Sequence, residues 1–176
     1  MSRGVQHDSG DGQSPAIDPT GTWILDYDVT RLYRQRVVDL DTDRAELVGE
    51  HPAPITSVAL APDLTRAVSM DVAGLVRVWD LSAAPPRLLR EFREPRGNYE
   101  VRFDPHGERF LTTGGGPTAH VYDLDPRPPR LPQSMLDRSH WTHEGTFLPD
   151  GSVIFGRNGI DEGPLAWWRH EEPVLW

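Results

Sequence analysis

Residues 49–80 read GEHPAPITSVALAPDLTRAVSMDVAGLVRVWD. Three short apolar runs stand in this stretch, divided by turn chemistry. Val58 to Leu60 end the first run, and Ala61-Pro62-Asp63-Leu64 breaks it. Pro presets φ at the first corner of a turn, and Asp can bond backbone two residues on. Ala67-Val68 and then Arg77-Val78-Trp79-Asp80-Leu81 form the second and third runs. Runs this short, bounded by turn residues, predict strands buried on both faces rather than helices.

The same pattern recurs along the chain. Pro19, Pro62, Pro105 and Pro149 lie 43, 43 and 44 residues apart, in the turns Asp18-Pro19-Thr20-Gly21, Ala61 to Leu64, Asp104-Pro105-His106-Gly107 and Leu148-Pro149-Asp150-Gly151. Ile17, Leu60, Phe103 and Phe147 precede them in register; Trp23-Ile24-Leu25, Ala67-Val68, Phe110-Leu111 and Val153-Ile154-Phe155 follow. A third element reads Arg36 to Leu40, Arg77 to Leu81, His120 to Leu124 and Ala166 to Arg169, aligning Val38, Trp79, Tyr122 and Trp168. A fourth, weaker segment at Leu47-Val48, Leu88-Leu89, 131–136 and 173–176 is broken by Pro, which places it at sheet edges. A period in the forties with about four strands per unit predicts an all-β chain of four-stranded antiparallel β-propeller blades. About four blades are expected, at approximately 14–49, 55–92, 98–136 and 142–176, after a flexible tail over 1–13.

Residues 49–80 resemble one unit of the WD-repeat family, whose marks are a Gly-His pair, a Val-bearing inner strand, a Pro-Asp-Gly turn and a closing Trp-Asp. Gly49 and His51, Val58, Pro62-Asp63 and Trp79-Asp80 carry the likeness, and the other three units match less closely. The resemblance implies a hydrogen-bonded lock of His51, Ser69 and Trp79. The turn position of its Asp falls on Ala73, with Asp71 two residues early, and Glu94 and Arg138 stand where His51 does. By that reckoning the later blades are held mainly by packing.

Composition narrows the function. The 176 residues are long enough to bury on the order of 70% of the unfolded surface. Eighteen basic against 27 acidic residues give a net charge of −9, with no basic stripe, which argues against nucleic acid as a partner. All eighteen are Arg, read here as GC-rich codon usage in a bacterium. There is no Cys, hence no disulfide frame or thiolate metal site. No apolar run approaches the roughly 18 residues of a membrane span, and residues 1–13 lack a signal peptide's apolar core. A cytoplasmic location is expected.

The catalytic temptations have structural explanations. His140 and His143, three apart on a strand, point to opposite faces, which is poor metal geometry. Gly114-Gly115-Gly116-Pro117 lacks the Lys and helix of a phosphate cradle and is expected to be a turn. Asp39, Asp80 and Asp123 recur as strand caps, whereas an active site needs a unique cluster. Trp168 is expected buried by its alignment with Trp79, leaving Trp167 as neighbour contact or exposed binder. Gly-x-Ser-x-Gly is absent. No enzyme activity, cofactor or metal is expected.

What remains is recognition by loops that the resemblance places on one rim, roughly 49–54, 92–98, 137–142 and 27–34, 70–75, 113–118, 156–164. Arg93, Arg96, Tyr99, His140, Trp141, Arg157, Asp161 and Glu162 lie in or beside them and include the types that anchor protein interfaces. The expected function is a non-catalytic interaction scaffold or sensor module binding protein partners; the alternative is a small-ligand-binding propeller or the accessory propeller of a multidomain enzyme. WD-repeat propellers usually close with about seven or eight blades. Four therefore imply two chains pairing into one ring, a piece of a longer array, or self-closure, and the longer array is favoured.

Overall fold

The computed structural model describes residues 15–40, 44–94, 98–114, 118–124, 133–136, 142–157 and 165–168. The expected tail, Gly115 to Pro117 and the segment 173–176 lie outside them. The described chain is all-β and forms four antiparallel sheets, each a meander in sequence order. Sheet A holds β1 (Ala16–Ile17), β2 (Trp23–Tyr27), β3 (Arg31–Arg36) and β4 (Glu46–Glu50). Sheet B holds β5 (Ile55–Leu60), β6 (Arg66–Asp71), β7 (Leu75–Asp80) and β8 (Arg87–Arg93). Sheet C holds β9 (Asn98–Phe103), β10 (Arg109–Gly114), β11 (Thr118–Asp123) and β12 (Gln133–Leu136). Sheet D shows β13 (Thr142–Phe147), β14 (Val153–Arg157) and β15 (Leu165–Trp168) among the described residues.

The four Pro-turns join the first two strands of every sheet and share one geometry. Gly21, Leu64, Gly107 and Gly151 each return an N–H to the carbonyl three residues back, at 2.9, 2.9, 3.1 and 2.9 Å. That corner needs left-handed backbone: φ is 67, 71 and 79° at the three glycines, and Leu64 adopts 63° without a glycine's freedom. Asp18 gathers the amides of Thr20, Thr22 and Trp23. The Thr20 hydroxyl and these amides hold its carboxyl down at about 2.

Three apolar interfaces stack the sheets in order. Leu25, Tyr27, Leu32 and Val48 of sheet A meet Val58, Ala67 and Trp79 of sheet B. Val68, Met70, Val76 and Val78 on the opposite face of B meet Val101 and Phe110 of C, where Phe110 and Tyr122 stack at 5.1 Å. Leu111, Ala119 and Val121 of C meet Phe147 and Val153 of D. Strands β6 and β10 are thus buried on both faces, with Ser69, Asp71, Thr112 and Thr113 buried among their apolar residues. The first strands of all four sheets line one cavity of about 450 Å³.

The third strand of sheet A departs from expectation. It ends at Arg36, and Val37–Asp39 form a 3-10 turn, leaving Val38 75% exposed rather than aligned with Trp79. The cause is the tight β2–β3 hairpin at Asp28, whose carboxylate accepts the amides of Thr30 and Arg31; β3 begins inside the expected 27–34 loop. Val37 N then bonds Thr22 O as Leu81 N bonds Thr65 O and Leu124 N bonds Glu108 O. Gln35 therefore occupies the place of Trp79, and Asp39 pairs with Arg44 at 3.9 Å instead of capping the strand. In sheet D, Trp167 lies across from Ile154 as Trp79 lies across from Ala67 and Tyr122 from Phe110. The register shifts the alignment from Trp168 to Trp167.

Gly49 explains how closely A and B approach. A Cβ there would come within 2.2 Å of the Trp79 ring, so only bare backbone fits beneath the indole. Gly49→Ala is expected to lower unfolding free energy by about 1–3 kcal/mol, read by urea denaturation. An unchanged midpoint would show that the indole does not rest there.

Candidate functional site

Beneath the rim where β6 turns into β7 lies a chain of buried polar groups. Trp79 Nε1 donates to Ser69 Oγ at 2.8 Å, and Ser69 Oγ lies 2.7 Å from His51 Nε2. His51 Nδ1 faces Asp71 Oδ2 at 3.3 Å, while Asp71 Oδ1 accepts the amides of Ala73 and Leu75, both at 2.9 Å. An indole only donates, so Ser69 spends its own proton on His51 Nε2, and His51 donates from Nδ1 to the carboxylate. Burial pushes the His51 imidazole below its ordinary value, against the opposing pull of Asp71. His51, Ser69 and Trp79 come together as expected. The missing member is Asp71, not Ala73, because the side chain must reach back under the turn whose amides it caps. The signal was legible: Asp28 and Asp71 keep the 43-residue beat.

The expectation that the next unit relies on packing also fails. Glu94 is buried and bonded to the Thr112 hydroxyl, to His120 Nδ1 at 3.0 Å and to the Tyr122 phenol. Burial first, and then this carboxylate, push the Tyr122 phenol above its ordinary value. Each partner lies 43 residues after a counterpart: Glu94 after His51, Thr112 after Ser69, Tyr122 after Trp79. Gly114 replaces Asp71 and His120 replaces Arg77, so the acid takes the imidazole's place and the imidazole moves to that of Arg77. Counting each position alone misses a network conserved in chemistry but not in residue.

Both networks anchor loops between strands. His51 N bonds Thr30 O at 2.7 Å, and Glu94 N bonds Gly74 O at 2.8 Å, tying each sheet-entry loop to the second hairpin of the preceding sheet. Of the expected contact residues, Arg93 closes β8 rather than lying in a loop, and its guanidinium donates to Ala73 O at 3.3 Å. Tyr99 lies in β9 with its ring half exposed, and Arg157 ends β14 opposite Thr142. Strand pairing runs further toward the rim than the apolar pattern indicates. Arg96, His140, Trp141, Asp161 and Glu162 lie outside the described residues.

No known family model matches the chain.

Ser69→Ala would leave the Trp79 N–H and His51 Nε2 unpaired in the interior, and about 1–3 kcal/mol of unfolding free energy should be lost. Since His51 is held neutral in the fold but takes a proton near 6.5 when unfolded, the unfolded chain binds more protons below that pH. Its contribution is complete above about pH 6.5 and is lost as pH falls through the depressed folded value. His51→Gln should flatten that slope in chemical denaturation series; an unaltered slope would assign it to other groups.

Proposed function

We propose that the chain is a run of WD-repeat-like propeller blades serving as a non-catalytic interaction scaffold or sensor module, with partner proteins docking on the rim loops. The observation that carries this reading is that the recurring polar residues are occupied inside the blades. His51, Ser69, Asp71 and Trp79 bond one another and the turn they support, and Glu94, Thr112 and His120 do the same one unit later. Groups so engaged hold loops in place. A radial order of four meander sheets about one cavity supports the propeller architecture.

The ligand-binding alternative rests on that cavity. Several of its polar groups are already bonded within the protein: Glu100 to Arg102 and to Thr113, Ser57 to the amide of Val101, and Asp104 to Arg109. This favours the scaffold. The free face of sheet A exposes Ile17 and Leu47, which suits a further module of a longer array, as does the same face of sheet B where it meets A.

Capture with tagged protein and mass spectrometry tests the reading. Arg96→Ala combined with Trp141→Ala should reduce recovery of a specific partner at least about tenfold while the thermal midpoint stays put. Equal recovery would remove that part of the rim.

A further inference from the structure

One strip of the rim has a chemistry of its own. Val29 and Val72 occupy the same position of the second hairpin in sheets A and B, 43 residues apart, and are 64% and 63% exposed. Single exposed apolar residues are ordinary, but contiguous ones mark contact surfaces. These are contiguous: Ile55 N bonds Val29 O at 2.8 Å and Val72 N bonds Pro54 O at 2.9 Å, so exposed Pro54 sits between the two valines. A turn tip is a place for Gly, Asn, Asp or Ser, and the β-branched residues there bury nothing of the fold.

The strip has a charge at each end. Asp28, beside Val29, accepts only from neutral donors, the amides of Thr30 and Arg31 and the Tyr33 phenol. Arg93, at the far end past Val72, donates to the neutral carbonyl of Ala73. Of the other charges of this region, Arg31 pairs with Glu50 and Arg77 with Glu91, while the buried carboxylates of Asp71 and Glu94 face inward, bonded to His51 and His120. The exposed groups of the strip are thus negative at Asp28, apolar over Val29, Pro54 and Val72, and positive at Arg93.

We infer, resting on the rim reading above, that this strip docks a partner protein segment whose apolar side chains are flanked by a basic residue at one end and an acidic residue at the other. The apolar centre supplies the contact, and the two end charges fix direction, since a reversed segment would set like charges together.

The test is an amide NMR titration of the whole chain with the peptide acetyl-Arg-Leu-Val-Leu-Glu-amide, with acetyl-Arg-Ser-Gly-Ser-Glu-amide as control. Shifts should appear at Val29, Ile55 and Val72 with the first peptide and not the second. Val29→Ser with Val72→Ser should weaken binding at least about fivefold, and Asp28→Asn, which keeps the turn's acceptor, about twofold or more. The Trp79 indole resonance should hold its position in every variant. No shift at these amides, equal response to the control, or undiminished binding by the double variant would overturn the inference. Shifts confined to other rim loops would overturn it while the wider rim reading stands; failure of partner capture would count against that reading itself.

Discussion

The Trp79 indole, laid on the bare backbone of Gly49 and tethered by its N–H to Ser69, sets the spacing of the first two sheets. Its ring supplies much of the apolar contact between them, and its one polar atom must be satisfied in the interior. The hydroxyl that does so also orients His51, and His51 in turn reaches the carboxylate that shapes the next hairpin. A packing requirement at a sheet interface is thereby coupled to the conformation of a surface loop.

The third unit meets the same requirement with different residues. Tyr122 takes the place of the indole and Thr112 that of the serine, while Glu94 takes the place of His51 and His120 that of Arg77. The constraint is a complete set of donors and acceptors around an aromatic anchor, since a partly satisfied buried network costs more than an apolar one. Around it, Phe92, Phe110 and Tyr122 form an aromatic stack, where sheets A and B place Tyr27 and Trp79. Arg90 lies over Phe92 and Phe110 and donates to Asp123 O, closing that interface at its outer edge.

These internal ties give the hairpin tips their character. Loops whose amides are gathered by Asp28 or Asp71, and whose neighbours are bonded to Thr30 O and Gly74 O, present fixed tips. Fixed tips lose little conformational entropy on binding, which suits surface residues such as Val29 and Val72 to recognition.

The sequence by itself determined the strands and their beat. Four Pro-turns and the short apolar runs on either side follow from local turn chemistry, which acts between residues close in the chain, while the lock of His51, Ser69 and Trp79 was legible only through the family resemblance of residues 49–80. Tertiary structure alone decided what depends on pairing across strands. The end of β3 at Arg36 comes from a tight hairpin that shifts the register, and that shift sends Val38 to the surface. Asp71 and Glu94 reveal their roles only when backbone folding brings their carboxylates under a turn or between sheets, because a side chain's reach is measured in space and not in residue count.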